Sequence, residues 1–348
     1  MHPHSPESAP SDERELTDRL SAPTPATIEA AAGLRGDVVV LGAGGKMGAG
    51  LALMLHRSLA AAGSKHRVVC VSRFTSSGSA MALGQAGIRT IASDLMNRKD
   101  LERLPDAPHV LYLVGSKFGT AQNPAVTWAV NTLLPAAVAE RYRAAQMVAL
   151  STGNVYPLTS VASGGATEET PPGPVGEYAQ TCLGRERVLT YVSAEHDIPM
   201  LFVRLNYASD LRYGVMVDLA QHVAARQPVE LTMGHFNTIW QGDANSVLCR
   251  SFGLCACPPA LLNLTGPDTV AVREAATALA AEMGVPTPDF SGREAPTALL
   301  SNAAKCWSTF GGPRVTTSTL MSWTAQWARE GGATLGRPTH FEVRDGVF

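Results

Sequence analysis

The sequence predicts a doubly wound α/β fold, a parallel sheet with helices on both faces, and two observations support it. Short apolar runs recur up to residue 205, and each has the length of a single strand. Longer segments between them carry apolar residues three and four positions apart, as Met47, Leu51, Met54 and Leu55 do. Buried strands alternating with amphipathic helices are typical of a parallel sheet. The runs are DVVVLG (37–42), RVVCVS (67–72), GIRTIA (87–92), HVLYLV (109–114), MVALST (147–152) and MLFVRL (200–205).

The regular alternation ends near residue 207, and this gives the predicted domain organisation. Two helical patterns follow, over residues 268–284 and 316–331. We therefore divide the chain into three parts. These are a leader over residues 1–34, an α/β domain over 35–207, and a smaller C-terminal substrate lobe over 208–348 that is interleaved with the last strands of the sheet.

The leader begins with the polar, proline-containing stretch MHPHSPESAPSDERELTD. We expect the leader to be partly disordered, with residues 1–20 mobile, because such a composition buries little apolar surface. Pro23 and Pro25 favour a short helix over residues 21–32.

Composition and charge narrow the class of protein. Of the 348 residues, 45% are hydrophobic and 17% are charged, which is typical of a globular protein in water. The net charge of -2, without a run of Lys or Arg, gives no reason to expect nucleic acid or anionic lipid as a partner. No apolar run reaches the roughly 20 residues of a membrane helix, and the N-terminus lacks the apolar segment of a secretory signal.

Six scattered cysteines are expected to be reduced thiols, which predicts a cytoplasmic protein. Cys249, Cys255 and Cys257 lie close together, but their spacing is not that of a zinc site. No metal site is therefore predicted.

A glycine-rich loop, GAGGKMG, follows the first predicted strand directly. Gly42 permits a tight turn, Gly45 lets the backbone approach a pyrophosphate, and Gly48 allows the next helix to pack closely. The phosphate charge then lies at the N-terminus of that helix. The context of strand, loop and amphipathic helix predicts dinucleotide binding, with a purely structural turn as the alternative.

The end of the second predicted strand bears on the choice of cofactor. An acidic residue there would bind the ribose hydroxyls of NAD, but the sequence has Ser72 and Arg73 and no nearby Asp or Glu. An Arg can accept a 2′-phosphate, and Lys46 could add a second positive charge. We predict NADP, with NAD as the alternative if both cations are solvated surface residues.

With these residues in place, the chain resembles the extended short-chain dehydrogenase/reductase superfamily, of the nucleotide-sugar epimerase/dehydratase type. This resemblance implies a Rossmann-type fold. The glycine loop matches, and Asp94 is similar to the family's adenine-contacting Asp after the third strand. STGNVYP (151–157) resembles the strand-five motif and places Thr152 at the catalytic Ser/Thr. Tyr178 corresponds to the catalytic Tyr, and Asn206 to an Asn of the strand-six motif, one residue early.

Two later stretches extend the resemblance to roughly residues 36–330. IWQGDANSV (239–247) is similar to a segment in which an Asp precedes a core helix, and NAAKCW (302–307) to a C-terminal stretch that contains Lys305. Together with the glycine loop, the resemblance gives these predicted cofactor contacts: Gly42, Gly45, Lys46, Met47, Gly48, Ser72, Arg73, Asp94, Leu95, Val114, Gly115, Tyr178 and Asn206.

The resemblance also implies a catalytic centre of Thr152, Tyr178 and position 182. In the superfamily, Tyr is the general acid/base, Ser or Thr binds the same substrate oxygen, and Lys four residues after Tyr holds the ribose and lowers the Tyr pKa. Position 182 is Cys, however, and a neutral thiol does not stabilise a tyrosinate. The expected cation is missing from its usual place.

Several interpretations of Cys182 stay open at the level of sequence. Arg185 lies about two helical turns after Tyr178 and could substitute, or could be a surface Arg that pairs with nearby acids. The positive ring of an oxidised cofactor could supply enough charge, or the protein could bind NADP without turning it over. A Cys182 thiolate could act as a nucleophile, although an inert, packed Cys is the simpler interpretation.

We predict an NAD(P)-dependent oxidoreductase or epimerase that acts on a carbohydrate or a related polyol or hydroxy acid. The alternative is a non-catalytic NAD(P)-binding sensor or scaffold. A homodimer is expected through helices near 123–143 and 177–195, as in relatives of this type. Residue types suited to hydroxyl recognition and stacking in the lobe are Asp210, Arg212, Tyr213, His235, Asn237 and Trp240.

Overall fold

The computed structural model describes residues 8–75, 77–117 and 122–347. Its centre is a seven-stranded parallel sheet. The strands of this sheet are β1 Val38–Leu41, β2 Val68–Ser72, β3 Arg89–Ala92, β4 His109–Tyr112, β5 Gln146–Thr152, β7 Met200–Leu205 and β12 Ala260–Leu264. Their order across the sheet is β12-β7-β5-β4-β1-β2-β3.

Two-residue strands form small additional pairs at the edges of the fold. They are β6 Thr159–Ser160, β8 Ala208–Ser209, β9 Val229–Glu230, β10 His235–Phe236, β11 Ile239–Trp240, β13 Val270–Ala271, β14 Phe290–Ser291 and β15 Thr297–Ala298.

The helices surround the sheet and build the lobe. They are α1 Glu13–Leu20, α2 Pro25–Ala32, α3 Gly48–Ala61, α4 Ser77–Gln85, α5 Arg98–Glu102, α6 Pro124–Trp128, α7 Leu134–Arg141, α8 Gly176–His196, α9 Val215–Ala224, α10 Gln241–Arg250, α11 Val272–Met283, α12 Ala304–Phe310 and α13 Thr317–Arg329. A π-helical stretch, Ala129–Leu133, joins α6 to α7.

The predicted fold class is confirmed, because alternate residues of the strands pack against helices on opposite faces. Val38 and Val40 face the core formed with α2, α3, α10 and α12, while Val39 and Leu41 face the core formed with α5, α7 and α8. All six predicted runs contain a strand of the sheet. The seventh strand, β12, follows an irregular stretch and was not predicted as a run of its own.

The leader differs from its predicted description over the residues that the structure describes. Residues 13–20 form α1 rather than a mobile segment, because Leu16 and Leu20 are buried beside Trp240 and Trp323. The amide of Asn245 donates to the carbonyl oxygen of Leu20 over 3.0 Å. The helix expected over residues 21–32 is present as α2.

The lobe has its own apolar core, built from one side of α9, α11 and α13. The predicted patterns over 268–284 and 316–331 correspond to α11 and α13. Strand β12 joins the parallel sheet beside β7, and α10 packs on α3. Within the described residues, no helix has both the length and the apolar character required to cross a membrane.

Candidate active site

The glycine loop joins β1 to α3 and has the geometry of a phosphate cradle. Gly42 has a φ of +89°, and a Cβ on it would lie 3.0 Å from the backbone carbon of Leu113. A Cβ on Gly48 would lie 2.6 Å from the Cα of Ala43, so the helix start packs directly on the loop. No side chain caps the N-terminus of α3. Its first N–H groups therefore suit an anionic ligand such as a pyrophosphate, and these residues fit a dinucleotide.

The ends of β2 and β3 lie beside this loop. A Cβ on Gly44 would approach the hydroxyl oxygen of Ser72 to 2.7 Å, so the end of β2 borders the loop directly. Arg73 follows with an exposed side chain. Asp94 lies after β3, where its Oδ1 accepts a hydrogen bond from the backbone N–H of Met96, and Leu95 is buried. The predicted adenosine contacts Ser72, Arg73 and Asp94 thus all lie at the carboxyl ends of neighbouring strands.

Lys46 lies in a different place from the one predicted. Its Nζ donates to the carbonyl oxygen of Ala208 and lies 4.6 Å from the ring centre of Tyr213. Burial lowers the pKa of Lys46 to about 8. The side chain lines the cavity that also contains Tyr178, so it does not extend the charge of Arg73 towards a 2′-phosphate.

Thr152 and Tyr178 meet in that cavity, which has a volume of about 180 Å³. Thr152 is the last residue of β5, and Tyr178 lies in the first turn of α8. Their side chains share a hydrogen bond. The Oγ1 of Thr152 also accepts from the backbone N–H of Asn154 over 3.2 Å. The two predicted hydroxyl groups are therefore brought together at the carboxyl end of the sheet.

The surroundings of Tyr178 keep its phenol neutral. Burial is the main cause that raises the pKa of Tyr178, and Cys182 adds to the rise. Arg185 and the hydrogen bond from Thr152 oppose it, but the pKa stays well above its usual value. A tyrosinate at this position therefore needs more positive charge than these neighbouring residues supply.

Cys182 lies one turn further along α8 and is fully buried among Val155, Tyr156 and Ala166. Burial raises the pKa of its thiol, so the neutral form dominates. These surroundings do not favour a nucleophilic thiolate, and they agree with a packed Cys.

Arg185 is the cation nearest to this pair on α8, and it is not the surface residue that one interpretation allowed. Its side chain is 5% exposed. The guanidinium donates to the carbonyl oxygen of Leu150 over 2.8 Å and to Oδ1 of Asn131 over 2.9 Å. Its charge lowers the pKa of both Tyr178 and Cys182. The two-turn spacing from Tyr178 thus brings Arg185 inward.

Asn131 is a site residue that the sequence analysis missed. It lies in the π-helical stretch and is fully buried. Its Oδ1 also accepts from the backbone N–H of Ser116 over 2.9 Å, and its Nδ2 donates to Thr181 over 2.9 Å. Asn131 thereby fixes the segment after β4 against α8. A Cβ on Gly115 would lie 2.8 Å from Arg185, so the predicted contact Gly115 borders the same guanidinium.

Lys117 is the second residue that the sequence analysis missed. It lines the cavity, and its Nζ donates to the carbonyl oxygen of Thr339 over 3.1 Å. Burial lowers its pKa to about 8, although Asp218 and Cys182 act in the opposite direction. No motif marks a lone Lys after a strand, so no signal in the sequence could have identified it.

The remaining predicted residues divide between the cavity and the scaffold. Met47, Asn206 and Tyr213 line the cavity. Trp240 instead packs edge to face on Trp323, beneath α1. The other proposed lobe and C-terminal residues make structural contacts: Asp210 with Arg212, Asn237 with Ser301, and Lys305 with Leu261. His235 lies in β10.

A glycine-rich phosphate cradle, a Thr–Tyr pair and a parallel sheet are together typical of enzymes that bind a dinucleotide. The sequence profile of the NAD dependent epimerase/dehydratase family matches residues 38–214. The chain belongs to this family, and the predicted resemblance is confirmed. Among curated proteins, no sequence matches the chain.

Solved structures agree with the fold over most of the chain. UDP-glucose 4-epimerase from Thermotoga maritima, solved with UDP-glucose, has a TM-score of 0.68 at 15% identity and covers 85% of this chain and 99% of its own. The UDP-glucose 4-epimerase of Thermus thermophilus, in complex with NAD, gives 0.68 at 18% identity and covers 84% and 99%. The dTDP-glucose 4,6-dehydratase DesIV from Streptomyces venezuelae, a double mutant with NAD bound, gives 0.70 at 16% and covers 85% and 97%.

Proposed function

We propose that this protein is an NAD(P)-dependent oxidoreductase or epimerase that acts on a hydroxyl-bearing carbon of a carbohydrate or a related hydroxy compound. The observation that carries the proposal is the hydrogen-bonded pair of Thr152 and Tyr178 inside a cavity that Met47 of the glycine loop also lines. A phenol and a hydroxyl that share one buried position can bind the same substrate oxygen.

When bound, the nicotinamide would accept or return a hydride. The chain's own residues then have separate tasks. Tyr178 takes the proton of the substrate hydroxyl, and Thr152 donates a hydrogen bond to the oxygen as it becomes negative. Arg185 stabilises the tyrosinate through its charge, because it is the buried cation whose field lowers the Tyr178 pKa. Asn131 holds the guanidinium in place.

The test of this proposal is the pH dependence of the two directions of reaction. Alcohol oxidation needs the tyrosinate, whose fraction rises about tenfold for each pH unit below its pKa. Because the pKa of Tyr178 is raised, we expect the oxidation rate at saturating substrate to climb through about pH 7–10 without a plateau. Carbonyl reduction needs the neutral phenol, so its rate should stay flat over the same range.

Variants of α8 make this test specific. Tyr178→Phe should lower turnover by about 10²–10⁴-fold and leave cofactor affinity unchanged, whereas Tyr191→Phe, an exposed position on the same helix, should change neither. Arg185→Met should move the oxidation profile to higher pH, and Cys182→Lys should move it to lower pH if the cavity accepts the longer side chain. Full activity in Tyr178→Phe would contradict the assignment.

For the cofactor we propose NADP rather than NAD. The support is Arg73, an exposed cation after β2 beside the glycine loop, with no carboxylate at that strand end. Several of the similar structures carry NAD, so the proposal concerns a local difference in this chain. Arg73→Ala should weaken NADP binding by roughly 1.5–3 kcal/mol in calorimetry and leave NAD unaffected. Arg98→Ala, an exposed control, should leave the affinity for both cofactors unchanged. Equal affinity for NAD and NADP in the unmodified protein would refute it.

The alternative function is a cofactor-binding sensor or scaffold. The raised pKa of Tyr178 and the buried, neutral Cys182 favour it, because both reduce the supply of tyrosinate. A wild type that binds NADP tightly, turns over no hydroxy compound, and gains activity with Cys182→Lys would support this alternative.

We also propose a homodimer through α6, the π-helical stretch and α8. Apolar side chains on these elements are exposed in the single chain, with Leu133 and Tyr191 each 69% exposed and Val126 52% exposed. An exposed apolar patch of this kind is typical of an interaction surface. Leu133→Glu should produce monomers in sedimentation analysis, while Glu140→Lys, an exposed position on α7, should not. A monomeric wild type would exclude the dimer.

A further inference from the structure

Residues 332–347, which we call the C-terminal segment, contain no helix or strand, and Thr339 of this segment lines the cavity of Tyr178. The backbone N–H of Thr339 donates to Oδ2 of Asp218 on α9 over 2.8 Å. Its carbonyl oxygen accepts from Lys117. Further along, the guanidinium of Arg344 donates to the carbonyl oxygen of Thr297 over 2.8 Å. The segment is thereby attached to both the lobe and the domain.

The end of the segment packs on the first residues of the catalytic helix. A Cβ on Gly346 would lie 2.2 Å from the carbonyl oxygen of Val175, and one on Gly176 would lie 2.3 Å from that of Gly346. Both residues have positive φ angles, +72° and +82°, which glycine adopts without strain. This contact lies two residues before Tyr178. The C-terminal segment is therefore held at α9 and again at the start of α8, the helix that carries Tyr178.

The cavity beside Tyr178 is small and partly open to solvent. Its volume of about 180 Å³ compares with roughly 300–1,000 Å³ for pockets that hold drug-sized ligands. A short hydroxy compound suits this volume, whereas most of a nucleotide sugar would lie outside it.

The charged groups that line the cavity are both positive. Lys46 and Lys117 line it, and none of the described lining residues is Asp or Glu. Two of the carboxylates near Lys46 and Lys117 already have partners: Asp210 pairs with Arg212, and Asp218 accepts from Thr339. The other titratable neighbours are Glu342 and Cys182, beside Lys117, and the phenols of Tyr178, Tyr207 and Tyr213, which line the cavity. With pKa values of about 8, both lysines are protonated at pH 7.

We propose that the substrate of this site is a small hydroxy acid, whose carboxylate lies between Lys46 and Lys117 and whose hydroxyl lies against Tyr178 and Thr152. The inference rests on the proposed function and narrows its substrate class. In oxidation, the carbinol C–H bond gives its hydride to NAD(P)⁺, the hydroxyl proton passes to Tyr178, and an oxo acid results. Two ammonium groups suit one carboxylate, and the small volume of the cavity favours a short molecule.

The test is calorimetric binding to the full-length, NADP⁺-loaded protein at pH 7, with three probes. Gluconate carries the carboxylate, sorbitol is its neutral counterpart, and uridine diphosphate represents nucleotide sugars. We expect gluconate to bind at least tenfold more tightly than sorbitol, and uridine diphosphate not to bind at millimolar concentration. Lys117→Met and Lys46→Met should remove the preference for gluconate, while Lys99→Met, an exposed control, should keep it. Above about pH 8 the preference should fall as the lysines lose their protons.

The outcomes separate this inference from the proposed function. Micromolar binding of uridine diphosphate, equal binding of gluconate and sorbitol, or no binding of gluconate would each overturn the inference, whatever the turnover. A lysine-dependent preference for gluconate without hydride transfer to any hydroxy acid would instead keep the anion site and refute the oxidoreductase. Hydride transfer from neutral polyols alone would keep the oxidoreductase and refute the hydroxy acid.

Discussion

Helix α1 and the C-terminal segment both pack on the fold, but they are held differently. Helix α1 buries Leu16 and Leu20 against the indoles of Trp240 and Trp323, in an apolar cluster apart from the cavity. The C-terminal segment combines one buried ring, Phe341 against Phe236 in the lobe core, with hydrogen bonds from Thr339 to Asp218 and from Arg344 to Thr297. Apolar burial contributes stability in proportion to area, whereas hydrogen bonds exchanged with water contribute modestly. We therefore expect α1 to act on stability alone, whereas the C-terminal segment also reaches the cavity through Thr339 and shapes the site.

The largest effect that this comparison predicts is on stability, at Leu16. Leu16→Ala should lower the free energy of unfolding by about 2–5 kcal/mol in urea titration, because Leu16 is fully buried. Cofactor affinity should not change. Arg14→Ala, at an exposed position of the same helix, is the control and should leave the unfolding midpoint in place. A Leu16→Ala midpoint equal to that of wild type would mean that α1 contributes nothing to the fold.

A strand or a site residue could be predicted where its signal lies within a short stretch of the sequence. Six of the seven strands of the sheet, the glycine loop and the Thr152–Tyr178 pair carry local patterns, periodicity or spacing, and these were located. Asn131 and Lys117 each act through partners that are distant along the chain, so a single sequence holds no sign of them. The two-turn spacing of Arg185 from Tyr178 left open whether its side chain is buried or lies on the surface, and in the fold it is buried.

The same reason explains the error over the leader. Its composition is polar, but Leu16 and Leu20 lie four residues apart on one helix face, and their partners Trp240 and Trp323 come far later in the chain. A short amphipathic helix is stable when a tertiary surface covers its apolar face. The four-residue spacing of Leu16 and Leu20 indicated a helix, whereas the polar composition of the leader favoured disorder.

A second prediction concerns pH and the cavity side of the comparison. The pKa of Lys117 falls to about 8 in the fold from 10.5, so between these values the unfolded chain binds the proton and the fold does not. Stability from this group therefore rises with pH across about 8–10.5 and is lost as pH falls back through that range. Lys117→Met should gain stability over wild type most at about pH 7, where the buried Lys is charged. This gain in unfolding free energy should shrink by up to roughly 3 kcal/mol towards about pH 10.

Chemical denaturation at several pH values measures this difference, and its design removes other titrations. Buried tyrosines and cysteines with raised pKa values also respond to alkaline pH, but those remote from Lys117 respond alike in both proteins. Cys182 and Lys46, whose pKa values the charge of Lys117 lowers, are the exceptions. Lys99→Met, at an exposed position, should show no pH-dependent difference from wild type. A constant difference for Lys117→Met across this range would show that Lys117 keeps its ordinary pKa and is not buried beside the cavity.

The smallest predicted effect sharpens the comparison at the C-terminal end, with two glycines of that segment. Gly346→Ala and Gly336→Ala place a side chain on similar backbones, with φ of +72° and +61°, so the backbone strain is matched. A Cβ at Gly346 meets the backbone of Val175, whereas one at Gly336 meets nothing within 4 Å. Gly346→Ala should therefore detach the end of the segment and speed amide hydrogen exchange over residues 343–347 about tenfold, or about 1.4 kcal/mol, relative to Gly336→Ala. The unfolding midpoints of the two variants should agree, because both changes leave the buried ring of Phe341 in place. A much lower midpoint for Gly346→Ala would show that residues 343–347 support the fold as α1 does, and the distinction between α1 and the end of the C-terminal segment would fail.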